Sequence, residues 1–523
     1  MATAELQPIL ENPSPKAGLL RNKWPERACL TGYIALLACM IPFHEPWADE
    51  AQAWMLARSL SLSQLFGTYL RYEGHPGLWY LLLWVLVRLR ISYAGMHWFT
   101  GIIAACGMAV LVLCSPFPRW MRLSLPFTFF FAYQYAVVAR SYVLVPLLLF
   151  SALAFWRRTP LIVALLLGLL ANVAPHAAAI SFGFAIVYCF DCASRTRGRL
   201  QTSTNAQLSA AALLLVSLYA FAAWTAFPPR DVFVAAFYHL PGQPVPSPAT
   251  AAIIRFFRSM FWGMWFPYPL LGLVGWPVLI TGIGRSGGKR LLIALLPFVV
   301  FCSMVYLEFW HAGLIIPLII GILWLLWNEK GPSFRRGERL VYVTVGTLIA
   351  SQIAGTAYAA VLEHSHEYFP GLKTARFLEP YVDSGGEIAV TYLRDAGVQI
   401  FPTVAIAPYF QNKLFMNQDT PFWWWSTRNR TEDQFPAALA KHPAAVVALY
   451  LDQLPFDPHR DLNGPIAALL AANGYHVAAS FCGTMVTPLA MHPGPVPCDI
   501  VFTPEGRTAA PGRDGGGPSE RLP

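Results

Sequence analysis

Charge is what this chain has least of. Charged residues fill 12% of its 523 positions and hydrophobic residues 56%, and that charged share is about half the one usual in soluble proteins. This excludes a soluble globular enzyme and predicts a polytopic membrane protein. A repeat of solenoid period is also missing, which excludes a stacked-repeat architecture. The two halves show no inverted similarity of the kind that marks many transporters. Cysteines are few and scattered. Seven of the nine (29, 39, 106, 114, 189, 192 and 302) lie in or beside apolar runs and read as small core residues; the lone CxxC of Cys189 and Cys192 defines no metal or redox site. Cys482 and Cys498 stand apart in the polar C-terminal part and are placed to pair if that part faces an oxidising compartment. The first fifteen residues are polar and contain proline, so no cleavable signal peptide is expected.

What charge there is has a pattern. The net charge of +9 comes from basic residues in short loops: Arg157-Arg158, Arg195 to Arg199, Arg285 to Arg290 and Lys330 to Arg339. The positive-inside rule accounts for them without a nucleic-acid partner. With Lys16, Arg21, Lys23 and Arg27 they predict a cytoplasmic N-terminal segment, 1–24, and place everything after 361 outside. Apolar stretches run near 28–43, 76–92, 96–114, 122–138, 141–156, 160–173, 176–190, 206–227, 264–283, 290–307, 312–327 and 340–361. Twelve full crossings would return the C-terminus to the cytoplasm, so the expectation is eleven or thirteen transmembrane helices over 25–362. Residues 44–75 form a first external loop and 228–262 another. Residues 48–66 read as an amphipathic helix lying in the interface. A small external α/β domain is expected over 363–504. It has helices near 372–381 and 466–473, strands near 387–392, 404–406 and 444–450, and a disordered tail over 505–523.

The scarce acids cluster where the first span ends. Glu45, Asp49 and Glu50 fall within six residues, and Glu73 and His75 follow before the next apolar run. Ionisable groups at a membrane edge point to function; the plain alternative is a helix start, with acids at the positive end of the dipole. An outward-facing carboxylate with arginine and histidine nearby suits group transfer from a phospholipid-type carrier. A carboxylate would take the acceptor proton, while cations would stabilise the departing phosphate. Asp49 and Glu50 could serve as the first; Arg140, His176 and His311 as the second. Trp47, Trp54, Tyr142 and Trp310 lie beside them in sequence as sugar-stacking aromatics. Simpler readings stand beside these: Arg140 as a headgroup anchor, and His176 and His311 as packed polar residues. Glu363-His364-Ser365-His366-Glu367 is metal-like in composition but reads as a surface run. Trp423-Trp424-Trp425 is either a sugar platform or an interfacial belt.

Several of these elements resemble those of the GT-C glycosyltransferases. Asp49-Glu50 resembles the acidic pair of their first external loop. Gly74-His75-Pro76-Gly77-Leu78-Trp79-Tyr80-Leu81-Leu82-Leu83 resembles the Pro-x-Leu-Tyr-Tyr start of their second span. Ala139-Arg140-Ser141-Tyr142 resembles the Ala-Arg-Pro-Tyr element of the protein mannosyltransferase and aminoarabinose transferase branch. Phe309-Trp310-His311-Ala312-Gly313 is similar to that branch's Arg-His span start. Ser141 and Trp310 replace the proline and arginine of the pattern, so the donor pocket need not match that of those enzymes. The resemblance covers roughly 25–360. It implies transfer of a sugar from a polyprenyl-phosphate donor to an envelope glycan, lipid or protein acceptor, in the lipid bilayer of the inner membrane, with the site on the periplasmic face. Asp49, favoured as base, and Glu50 would be catalytic; Arg140, Tyr142, Glu73, His75, His176, His311 and Trp54 would bind substrate. No metal ligand is assigned, and a divalent cation is left open. The alternative is a transporter, flippase or non-catalytic binding protein for lipid-linked saccharides.

Overall fold

The computed structural model describes residues 23–196, 202–232, 247–330, 337–393, 400–452, 456–484 and 496–505. The 1–22 segment, the Tyr238-His239 and Pro-rich part of the 228–262 loop, and the tail beyond 505 lie outside the described residues.

Helices dominate the first 365 residues. They are α1 (Trp24–Met40), α2 (Ala48–Ser59), α3 (Leu78–Arg88), α4 (Tyr93–Cys114), α5 (Leu144–Ala154), α6 (Pro160–Ala171), α7 (Pro175–Thr196), α8 (Thr202–Ala226), α9 (Pro248–Phe261), α10 (Gly272–Arg285), α11 (Leu295–Met304), α12 (Ile315–Lys330) and α13 (Glu338–Ser365). Among the described residues, six stretches are long and apolar enough to cross a membrane: Trp24–Phe43, Tyr93–Cys114, Pro175–Ser194, Ala206–Ala226, Phe309–Glu329 and Glu338–Ser365; four shorter apolar helices accompany them. Their outward faces are apolar as well, with Leu213, Val216, Leu273, Val274, Leu296 and Val343 largely exposed. A helix apolar on both faces suits a lipid surround. On α1 the buried positions Glu26, Cys29, Tyr33, Leu37 and Met40 recur every three to four residues, one inward stripe. Phe309–Glu329 is the central element, almost wholly enclosed by its neighbours.

Two expectations for this part are corrected. The 122–138 stretch is not one helix. It breaks into α-helical Arg119–Ser124, a 3₁₀ turn at Leu125–Phe127 and a π turn at Phe130–Gln134, with 128–139 buried throughout. Irregular backbone is tolerated at membrane depth only where protein surrounds it. The 48–66 segment is not an interfacial helix: α2 is buried on nearly every side, Glu50 and Gln52 included, and it ends at Leu60. Its polar residues have protein partners, which composition alone could not reveal.

A small sheet follows α14 (Gly371–Asp383): β1 (Ile388–Tyr392), β2 (Ala445–Asp452), β3 (Tyr475–Cys482) and β4 (Val496–Pro504), in the order β1-β2-β4-β3. β1 and β2 are parallel; β2–β4 and β3–β4 are antiparallel. Helix α15 (Pro465–Ala472) ends before Gly474, whose φ of +78° suits glycine. Residues Phe401–Tyr409 are 3₁₀-helical, not the strand expected at 404–406. Cys482 and Cys498 face each other in the β3–β4 register and are joined by a disulfide, as their isolation in the sequence suggested.

The period-two alternation of β2 divides the packing. Val447 and Leu449 join the core shared with the helices, whereas Val446, Ala448 and Tyr450 fill a second core beneath α15. The sheet is therefore built onto the helical part. Helix α13 likewise runs through the expected boundary at 362, ending at Ser365.

Candidate functional site

The site begins at the two-residue acidic pair. Trp47 is extended and Ala48 starts α2; the Glu50 carboxylate turns back to accept the Trp47 N–H at 3.0 Å, closing the first turn. Neighbouring side chains on a helix diverge by about 100°, and the pair divides accordingly. Glu50 points inward and is fully buried. It accepts the Ala139 N–H at 2.5 Å, an amide left free by the broken backbone of 128–139. It also meets His44 Nε2 at 3.2 Å and His97 Nε2 at 3.0 Å. Asp49 forms an ion pair with Arg140, the next residue along. The two acids thus clamp the two consecutive residues 139 and 140.

Behind Glu50 the network continues. His44 Nδ1 lies 3.0 Å from Glu363 Oε1, and Tyr133 donates its hydroxyl to the same oxygen. Burial lowers the proton affinity of His44, but Glu363 and Glu50 overcome this and raise it to about 10. Burial opposes charge on Glu50, yet His44, with help from His97, holds its carboxyl well below the usual range. Glu363 is therefore buried near the end of α13, not part of a surface run.

On the other side of Arg140 lies an aromatic and histidine group. The guanidinium sits 5.9 Å from the Trp47 ring centre and 5.8 Å from that of Tyr142, and it hydrogen-bonds the Tyr142 hydroxyl. That hydroxyl is 2.7 Å from His311 Nε2. His311 Nδ1 accepts the Glu308 N–H at 3.0 Å, and the Trp310 indole N–H donates to its Nε2 at 3.1 Å. The rings of His311 and His176 stack at 3.9 Å, 10° apart. His176 Nε2 bonds the Tyr306 carbonyl at 2.8 Å, leaving its buried Nδ1 without a partner. His75 is pressed down to about 4 by burial and lies within electrostatic range of both rings.

Glu73 forms a separate pocket with Gln52 (2.8 Å), Tyr80 and Trp425; burial pushes its carboxyl up to about 8 against those hydrogen bonds. Trp54 does not face the site. It is 4% exposed and packs on Tyr93 at 5.7 Å, one turn along α2 from Glu50. The tryptophan run packs against the first external loop and its own domain. Trp423 exchanges backbone hydrogen bonds with the Gln52 side chain (2.6 and 2.9 Å), Trp424 meets Tyr69 and Tyr72 edge-on, and Trp425 packs on Phe401.

A cavity of about 840 Å³ opens between the ends of α1 and α13, the start of α4, and α14. His44, Glu45, His97, Glu363, Lys373 and Arg376 line it; Asp49 and Arg140 do not. The structure thus brings together Asp49, Glu50, Arg140, Tyr142, His176 and His311, with His75 near the latter two. It adds His44, His97, Tyr133 and Glu363. Of these, His44 carried a sequence signal as neighbour to the acidic cluster, and Glu363 as the first residue of the metal-like 363–367 run. Comparisons with protein-family models, with curated proteins and with solved structures return no match.

Proposed function

We propose that the chain is an integral membrane glycosyltransferase of GT-C type, with eleven or thirteen spans, in the inner membrane with its site and sheet domain on the periplasmic side. The observation that carries the reading is the Asp49–Arg140 pair, backed on one side by the buried Glu50 clamp and flanked on the other by Tyr142, His311 and His176. A base and a cation side by side suit a displacement at a sugar carbon whose leaving group is a lipid phosphate. The acceptor hydroxyl gives its proton to Asp49 as its oxygen bonds to the anomeric carbon. The bond from that carbon to the phosphate oxygen breaks, the electron pair stays on phosphate, and configuration inverts. Arg140, in the position to exchange Asp49 for the phosphate, stabilises that charge. Tyr142, held by His311, supplies a further donor, while Glu50 fixes the geometry.

The test is purified protein in lipid nanodiscs with a panel of polyprenyl-phosphate sugars and envelope acceptors, following release of lipid phosphate. Release by wild type and its loss in Asp49→Asn are expected. Movement of the intact lipid-linked sugar without release would instead make the chain a transporter.

A further inference from the structure

We propose that His44, Glu50 and His97 are the ligands of a zinc-class divalent metal ion, with Glu363 as the carboxylate that orients His44. This stands independently of the glycosyltransferase reading. The three side chains come from three separate segments, the loop after α1, the first turn of α2 and the first turns of α4, and all are buried. One donor atom from each lies within 4.8 Å of the other two; Glu50 Oε2 is 3.2 Å from His44 Nε2, and Glu50 Oε1 is 3.0 Å from His97 Nε2. Metal–nitrogen and metal–oxygen bonds of about 2.0–2.1 Å put neighbouring tetrahedral ligands roughly 3.3 Å apart. Each imidazole nitrogen is within a few tenths of an ångström of that from one Glu50 oxygen, so the ion fits with Glu50 chelating through both oxygens, or with a small shift that brings both imidazoles to one of them. Two imidazoles with one carboxylate suit zinc and its first-row neighbours, not magnesium or calcium, which prefer oxygen alone.

The surroundings fit as well as the ligands. A metal-bound histidine typically donates its other ring N–H to a carboxylate, which sets the tautomer. His44 Nδ1 does this to Glu363, and Tyr133 in turn holds Glu363. Glu363 Oε2 is buried and has no hydrogen-bond partner. It lines the 840 Å³ cavity together with His44 and His97, so a water held there by the metal would give that oxygen its donor. Asp49 is the residue next to a ligand, so the ion would act by positioning: it locks the first turn of α2 and thereby the direction in which Asp49 faces Arg140.

The experiment measures metal by mass spectrometry on full-length protein purified through a peptide-epitope tag, with no metal column and no chelator. About one zinc per chain is expected in wild type and in the control Asp49→Asn, falling to roughly a tenth or less in His97→Ala. Stripped wild type given cobalt should develop visible absorption characteristic of a low-symmetry site, which zinc then abolishes. This second arm needs no variant to fold. The proposal is overturned if wild type holds no stoichiometric transition metal and gives no cobalt spectrum, or if a monodisperse His97→Ala keeps as much metal as wild type.

Discussion

Removing the Glu50 carboxylate should damage stability, whereas neutralising Asp49 should damage turnover. Glu50 is fully buried and accepts from the Trp47 and Ala139 amides and from two imidazoles. Glu50→Ala leaves the Ala139 N–H without an acceptor, at about 1–3 kcal/mol. It also strips His44 and His97 of a charged partner, and breaking such a buried pair costs about 3–5 kcal/mol. These terms overlap, so a combined loss of about 4–5 kcal/mol is expected, a large part of the 5–15 kcal/mol that stabilises a typical fold. Asp49 is different. Its side chain is 23% exposed and its Arg140 partner 13%, a partly open pair whose loss costs less than the about 3–5 kcal/mol of a fully buried one. Asp49→Asn keeps the shape, so its unfolding midpoint should stay near that of wild type. Turnover should fall on the order of 10²–10⁴ through loss of the base, or about 3–5 kcal/mol in the barrier. Intrinsic-fluorescence melting in matched detergent, beside lipid-phosphate release in nanodiscs, separates the two. The division of labour is refuted if Glu50→Ala melts like wild type, or if Asp49→Asn turns over normally.

Arg140→Lys keeps charge but loses the planar fork; donor affinity should weaken several-fold while acceptor affinity holds, read from kinetics against each substrate. Glu73 gives a pH signature. Its folded proton affinity is raised to about 8, above the ordinary carboxylate value of about 4.3, so the folded chain holds a proton that the unfolded chain releases. Its stabilising contribution is complete below the ordinary value and lost as pH rises toward 8. Melting midpoints measured from pH 5 to 8.5 should fall in wild type and flatten in Glu73→Gln. Cys482 and Cys498 should resist maleimide until reduced, and Cys498→Ser should cost up to about 3 kcal/mol for the loop they close. A methyl at Gly263 would sit 2.1 Å from the Ala312 carbonyl carbon. Gly263→Ala should therefore destabilise by roughly 1–3 kcal/mol and shift the adjoining His311, seen as a lower melting midpoint.

Much of this was legible where one local rule decided the outcome. Hydropathy marked the long spans, and Gly474 marked the end of α15 because only its backbone geometry suits the turn. The pairing of Cys482 with Cys498 followed from their isolation. Asp49, Arg140, Tyr142, His176 and His311 were found because charge and imidazole are conspicuous in so apolar a chain. The failures share a different cause. Glu363 looked like surface because its partners, His44 and Tyr133, lie 319 and 230 positions away. The packing of Trp54 on Tyr93 depends on how α2 and α4 meet. The 122–138 segment is apolar enough for a helix, but Pro126 stops the Arg119–Ser124 helix in a 3₁₀ turn, and the irregular backbone beyond it offers the Ala139 amide to Glu50. Val404 to Ile406 has strand composition, yet Arg58 draws on the carbonyls of 407, 408 and 410, and the 3₁₀ turn presents them.

The Gln52 side chain bonds both the N–H and the C=O of Trp423, as a strand neighbour would. These residues are 371 positions apart, which has a consequence for biosynthesis. At about 5–20 residues per second, the ribosome needs on the order of 20–70 s to reach Trp423 after it has made Gln52. Through that interval the Gln52 amide has Glu73 but not Trp423, and the Arg58 guanidinium lacks its partners at 407, 408 and 410 altogether. The final burial of α2 is therefore a late event, set by the arrival of the chain's last third. A ribosome-stalled chain ending before 400 should leave a cysteine at position 52 open to labelling, and one ending after 452 should protect it.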